Sequence, residues 1–415
     1  MRVLVLDGNE NQAVAAVRSL GRAGYRVSVG ADTTWSKAGW SRFCTDQFTY
    51  PAPQNDVKAF VARVAAEAAR EPGTLVLPMT ERTTLPLSRD RDRIADAAGR
   101  LMLPAHEHVL HAFDKEYTTS LAASLGLAVP KTVTLTSEAD LREQAHTLPF
   151  PVVVKPRSSE EDAPGGRVRS TGAPLYARNE RELVGAWETI SKRCRAALVQ
   201  EFVAGSGVGY FALMQHGQLR AEFAHRRIRD VRPTGSGSAV RESIEVTSSV
   251  RDPGLSMLQA LHWHGVAMVE FRLRPDGTPV FLEVNGRFWN SLALAVYAGA
   301  DFPALLAQMA EHGDVSSPPP YRIGVRCRWL LGDLRHLAEV WRGAPPQFPG
   351  AFPARWATLA AMRPRAGTVH DNFTADDPLP EAGDWIDFVW RRVPRRARTR
   401  RHAEVWHAAG RATHP

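Results

Sequence analysis

Cysteine is scarce. Cys44, Cys194 and Cys327 are the only three in 415 residues, an odd number at wide spacings that makes neither a disulfide framework nor a zinc site. A reducing, cytoplasmic setting is expected. Long apolar runs are missing too: residues 1–6 are too few for a signal-peptide core, and no run approaches the roughly 18 residues of a membrane span. Neither secretion nor membrane insertion is expected. No lysine follows a glycine, which excludes a Walker phosphate loop, and the turn at 7–9 lacks the glycine fingerprint of dinucleotide-binding folds. Lysine itself is rare, six residues against 46 arginines. The formal charge of +8 is explained by anionic substrates or plain solubility as well as by nucleic acid, which is not the expected partner. What remains, 44% hydrophobic and 23% charged residues, is ordinary for a folded globular protein. At roughly 100–200 residues per domain the length allows two to four domains.

The periodicity begins as a doubly wound α/β unit. Residues 2–6 read as a buried strand, 11–22 as a helix, 26–29 as a second strand and 74–78 as another, with Pro104 closing the unit near 105. An amphipathic helix is expected over 113–127, a strand over 131–135, a helix over 138–146 and a strand over 152–156, followed by a polar, glycine-bearing loop at 157–172. Helix 180–193, strand 197–203, helix 255–263, two strands and a helix near 292–298 come next. The SSPPP run at 316–320 reads as a linker, because consecutive prolines keep the backbone extended. Beyond it a strand (324–329) and a helix (332–341) are expected, and the arginine-crowded 391–401 reads as a solvated tail.

The most informative segment is 266–285. With Asp276-Gly277 at the turn, a hairpin pairs Leu273 with Val280, Phe271 with Leu282 and Val269 with Val284 on one face. The other face pairs Arg272 with Phe281, Glu270 with Glu283 and Met268 with Asn285. Two carboxylates then stand side by side, which destabilises a sheet unless something positive lies between them. A hard cation such as magnesium suits carboxylate and amide oxygens; an exposed face with Arg272 as counter-charge is the alternative. Arg287, two residues past the amide, offers a planar guanidinium to phosphate oxygens.

Lys155 ends an apolar strand directly before Pro156 and the polar loop, where its ammonium can emerge beside phosphates. Lys115 sits early in the 113–127 helix. The strand exit at Gln200, Glu201, Phe202 and Val203 offers a backbone edge with one donor and one acceptor, as an adenine requires. The basic strand at 225–229, with Arg226 and Arg229, leads into a small-residue loop; it is either an anion-positioning element or an ordinary charged strand and turn.

Taken in order, Phe113-Asp114-Lys115, Val154-Lys155-Pro156, residues 199–203, the 226–237 segment, Glu270 and the run from Glu283 to Arg287 resemble the ATP-grasp superfamily. The likeness covers about residues 1–310 and is greatest to the carbamoyl-phosphate-synthase and biotin-carboxylase type and to carboxylate–amine ligase-like proteins. It implies an α/β fold with a pre-ATP-grasp domain of parallel sheet (1–105), a small lobe (106–195) and a large lobe (196–315) with antiparallel sheets, and a C-terminal extension (316–415). The resemblance also implies ATP with magnesium or manganese as cofactors. Lys115 and Lys155 would contact phosphates, the backbone around Gln200, Glu201, Phe202 and Val203 would hold adenine, and Glu270, Glu283 and Asn285 would be metal ligands. Arg287, with Lys155, Arg226 and Arg229, would stabilise the transferred phosphoryl group. The implied activity is ADP-forming ligation of a small-molecule carboxylate to an amine through an acyl phosphate. A carboxyphosphate-forming or kinase-like enzyme, or a nucleotide-binding regulator without turnover, is the alternative. One departure stands out: Ser206, Gly207 and Gly209 occupy the stretch where relatives carry an acidic ribose ligand. The segment 321–415 carries no transferable motif and is left to the acceptor site or a homodimer interface.

Overall fold

A computed structural model of the chain describes residues 1–163, 167–315 and 318–390. The first four strands are short: β1 (Arg2–Val5), β2 (Arg26–Ala31) and β4 (Leu75–Leu77) are mostly apolar and buried, whereas β3 (Asp46–Thr49) is a polar edge strand with only Phe48 buried. They form an all-parallel sheet in the order β3-β2-β1-β4, as strands buried on both faces do. Helix Asn11–Arg22 lies on one face, and helix Val57–Ala68, capped by the Asp56 carboxylate on the Ala59 N–H, lies on the other.

Six strands follow: β5 (Thr132–Leu135), β6 (Val152–Pro156), β7 (Glu160–Ala163), β8 (Arg167–Ser170), β9 (Leu175–Ala177) and β10 (Ala197–Glu201). Four of them make an antiparallel sheet, β5-β10-β6-β9, whose covered face packs Val152, Val154, Ala197 and Val199 under helix Glu180–Ile190. Strands β7 and β8 form a separate hairpin. The stretch expected to be a loop at 157–172 is therefore partly ordered as two strands, although Asp114, Glu116 and Arg157 still anchor its root through charge-assisted hydrogen bonds and ion pairs.

The third sheet contains β11 (Ser206–Gln215), β12 (Gln218–Asp230), β13 (Ser238–Ile244), β14 (Gly265–Leu273), β15 (Pro279–Asn285), β16 (Arg326–Arg328) and β17 (Val369–His370). Their order is β15-β14-β11-β12-β13-β16-β17. One face shares a continuous apolar core with helix Asn11–Arg22 and with helices Leu292–Ala298 and Phe302–His312; the other packs under helix Ser248–Ala260 and helix His106–Phe113. Among the described residues no single helix is long and apolar enough to cross a membrane, and the bent apolar pair Leu292–Ala298 and Phe302–His312 is core.

Several expected elements differ in extent. The helix expected over 113–127 is present as Lys115–Ser124, and a separate, unexpected helix, His106–Phe113, precedes it. Asp114 separates the two, its carboxylate capping Lys115–Ser124 by accepting from the Glu116 and Tyr117 N–H groups. The helix expected at 255–263 begins seven residues earlier, at Ser248, and tolerates Pro253 in its first turns. Strand 197–203 stops at Glu201. Of the 316–320 linker, residues 316 and 317 lie outside the described residues, as does the arginine-rich 391–401.

The C-terminal part is bound by buried ion pairs. Arg18 bonds Asp377 at 2.8 Å, Lys37 bonds Asp384 at 2.8 Å, and Arg241 bonds Asp371 with both side chains fully enclosed. Losing one partner of such a pair would leave an uncompensated buried charge, at a cost of about 3–5 kcal/mol.

Candidate functional site

The cleft lies between the β5-β10-β6-β9 sheet and the seven-stranded sheet. In the hairpin, β14 pairs Met268 with Asn285, Val269 with Val284 and Glu270 with Glu283. A β-bulge then intervenes between Glu270 and Phe271, so that Phe271 faces Phe281, Arg272 faces Val280 and Leu273 faces Pro279. The pairings expected beyond Glu270 are thus one residue out, and Leu282 is the extra residue. Proline in the tight turn cannot donate to the ladder, and a bulge absorbs the mismatch while increasing local twist.

Each glutamate already has a positive neighbour. Arg227 Nη2 donates to Glu270 Oε2 at 2.6 Å, and Lys115 Nζ stands 3.9 Å from Glu283 Oε2. Burial raises the Glu270 carboxyl above its ordinary range, an effect that Arg227 only partly offsets. Burial also acts upward on Glu283, but Lys115 and Lys155, with the Asn285 hydrogen bond and Arg287, together hold the group below the usual carboxylate value. The Asn285 amide lies beside them, accepting from Arg287 Nη2 at 3.0 Å and donating to Glu283 Oε1 at 3.3 Å.

Lys155 is brought to the same place from the opposite sheet. It alternates with Val154, whose side chain points into the covered core, so Lys155 projects into the cleft. Burial pushes its ammonium down to about 8; Glu283 and Glu270 act against that shift and Lys115 adds to it. Lys115, the first residue of its helix, donates to Ser159 Oγ at 3.2 Å, just before β7. Two lysines, two glutamates, one amide and Arg287 therefore converge on one end of the cleft.

Arg226 and Arg229 do not join them. Arg226 is tied to Glu242, and Arg229 to the buried Asp333. Alternation puts Arg226 on the opposite face, and an irregularity in β12 between Arg227 and Arg229 takes Arg229 out of phase, which leaves the place at the carboxylates to Arg227. The signal in the sequence was Gly207: a Cβ there would sit 2.7 Å from Arg227 Cδ, so only glycine lets that side chain lie across β11. His225, on the same strand, is held well below its ordinary range by burial and by the nearby charges of Arg227 and Arg241, and is neutral.

At the β10 exit the Glu201 N–H donates to the Lys131 carbonyl and the Phe202 N–H to the Pro151 carbonyl, at 2.8 and 3.0 Å. The Val203 N–H has no hydrogen-bond partner among the described residues. Gln200 is occupied, its side-chain amide donating to Thr132 Oγ1 at 2.9 Å.

The donor set fits a divalent cation that brings its own oxygen ligands. Among the described residues no group of three or more His, Cys, Asp or Glu side chains is placed to hold a metal by itself. Two carboxylates with one amide oxygen match magnesium, which completes its shell with phosphate oxygens and water.

Residues 193–332 match the family described as ATP-grasp in the biosynthetic pathway with Ter operon. The chain is 27% identical over 213 residues to a D-alanine–D-alanine ligase of Nitrosospira multiformis, covering 48% of this chain and 66% of that protein. It is 33% identical over 94 residues to one from Ectopseudomonas mendocina, covering 23% and 27%. In backbone it is similar to an L-amino acid ligase from Bacillus licheniformis (TM-score 0.58, 18% identity, 74% of this chain and 73% of that one). It is also similar to the biotin carboxylase domain of Hydrogenobacter thermophilus 2-oxoglutarate carboxylase with MgADP (TM-score 0.61, 12% identity, 78% and 73%). The chain has the ATP-grasp fold. It spans between about a quarter and two thirds of the length of the D-alanine–D-alanine ligases it matches. In this ATP-grasp chain the two sheets bound the cleft, and the β7–β8 hairpin lies at the end where Lys115 meets Ser159.

Proposed function

We propose that this ATP-grasp chain is an ADP-forming carboxylate–amine ligase that uses ATP and magnesium in the cytoplasm. The observation that carries the reading is Glu270 directly opposite Glu283, with Asn285 beside them and Lys155 facing them across the cleft. The likeness to D-alanine–D-alanine ligases supports joining an amine to a carboxylate, and the free thiols of Cys44, Cys194 and Cys327 suit a reducing compartment.

Glu270, Glu283 and Asn285 would hold magnesium, which supplies charge neutralisation to the phosphate oxygens when bound. The Val203 N–H would donate to the adenine base. Lys115 and Lys155 would orient the phosphates, and Arg287 would meet charge developing on the transferred group. A carboxylate oxygen attacks the γ-phosphorus while the bond to the bridging oxygen breaks, releasing ADP and leaving an acyl phosphate. The amine nitrogen then attacks the acyl carbon; the carbon–oxygen bond to phosphate breaks, inorganic phosphate departs and the nitrogen loses a proton. Arg227, which donates to Glu270, would yield the carboxylate to the metal.

The test is a screen of amino acids and other carboxylates with hydroxylamine as the trapping amine. ADP, phosphate and hydroxamate in equal amounts, with one oxygen label passing from carboxylate to phosphate, are the expected products. AMP and pyrophosphate would indicate adenylation and overturn the mechanism.

A further inference from the structure

The C-terminal part returns to the β5-β10-β6-β9 sheet at Tyr176, Arg178 and Phe202. After helix Leu330–Arg342 the backbone turns at Gly343, and Phe348 enters a cluster of rings on the small sheet. Phe348, 6% exposed, meets Tyr176 edge-on at 5.1 Å and 84°, and Phe202 at 6.0 Å and 89°. Tyr176 and Phe202 also meet each other edge-on, at 6.2 Å. Arg178 Nη2 fixes the approach by donating to the Phe348 carbonyl at 2.7 Å. Gly350 lets the segment fold this closely, since a Cβ there would fall 2.7 Å from Phe348 Cζ and 3.1 Å from Phe202 Cζ.

The cluster stands on the nucleotide side of the small sheet. Tyr176 pairs with Val153, which pairs with Gln200, and Lys155 is two residues farther along β6. All four therefore share the face that looks into the cleft. Phe202 immediately precedes Val203, whose N–H has no partner among the described residues. The Tyr176 hydroxyl in turn donates to the Thr234 carbonyl, in the loop between β12 and β13, so the same rings tie the small sheet to the large one.

We infer that the segment around Phe348 is the outer wall of the base pocket, and that Phe348 is a positioning residue which, through Tyr176 and Phe202, holds the Val203 edge against a purine. This rests on the nucleotide reading above. It places part of the selection for a purine nucleoside triphosphate in a segment beyond the matched 193–332 region.

The experiment uses the full chain with magnesium and two probes: the non-hydrolysable analogue AMP-PNP, and inorganic tripolyphosphate, which lacks a base. For Phe348→Ala, calorimetry should show AMP-PNP binding weakened about tenfold, in line with the loss of two edge-to-face ring contacts, with tripolyphosphate unchanged within about twofold. Arg178→Ala, which leaves every ring in place, should shift AMP-PNP in the same direction by a smaller factor, and it serves if the alanine at 348 fails to fold. Unchanged AMP-PNP affinity in both variants, or equal loss for both probes, would overturn the inference while leaving the nucleotide reading intact. Absence of AMP-PNP binding by the unsubstituted chain would overturn both.

Discussion

The sharpest pH test concerns Lys155. Its ammonium is pushed down to about 8 because burial disfavours the charge. If the charge must be present to hold a triphosphate, about nine tenths of the molecules are competent at pH 7 and about one tenth at pH 9. Affinity for AMP-PNP should therefore fall about tenfold over that interval, and binding at pH 8 should take up about half a proton per nucleotide. Calorimetry in two buffers of different ionisation heat reads both quantities. Lys155→Arg, whose guanidinium stays charged throughout, should bind with a flat profile. The same site sets a stability slope. An unfolded lysine titrates near 10.4, so between about 8 and 10.4 the unfolded chain holds more protons, and resistance to unfolding rises with pH by about 3 kcal/mol across that window. Lys155→Met should abolish the rise. A flat affinity profile in the unsubstituted chain, or the same fall in the arginine variant, would refute the reasoning.

Other perturbations follow from the same geometry. Glu270→Gln and Glu283→Gln should each lower magnesium-dependent nucleotide binding, and the double variant should lose less than the two losses combined, because both act through one shared ion; strictly additive effects would favour two independent surface charges. Arg227→Met strands Glu270 in a buried setting and should cost about 3–5 kcal/mol in denaturant unfolding, with partial recovery when Glu270→Gln is added. No recovery would mean that the pair is not the cause. Asp7, at the end of β1, is raised to about 6 by burial despite hydrogen bonds from Thr83, Met79 and Thr80. The folded chain therefore holds its proton more tightly than the unfolded chain, and the stability this contributes is full below about 4 and lost as pH rises through 6. Asp7→Asn should flatten that decline, and thermal melts from pH 4 to 7 measure it.

Much of the site was legible because strands alternate. The Glu270–Glu283 and Met268–Asn285 pairs follow from the turn and the alternation, and Lys155 reaches the cleft because Val152 and Val154 are core. The same rule fails where backbone irregularity enters. The bulge at Glu270–Phe271 leaves no composition signal, and it moves every later pair by one. Choosing among Arg226, Arg227 and Arg229 required the strand's phase, which depended on partners more than a hundred residues away, such as Asp333 for Arg229. β16 and β17 have three and two residues, too short for periodicity to mark, and they are held by Arg241–Asp371 rather than by a hydrophobic stripe. The ring cluster at Phe348 joins residues 176, 202 and 348, and no local pattern connects segments so far apart.

In the proposed site one cation sits between Glu270 and Glu283 with a nucleotide phosphate beside Lys155. A crystal of the full chain grown with manganese and AMP-PNP tests it, because manganese gives an anomalous signal at its own position. A peak is expected within about 2 Å of carboxylate oxygens from both glutamates and of the Asn285 amide oxygen, with the base at the Val203 N–H. A peak elsewhere, or a nucleotide bound outside the cleft, would contradict it.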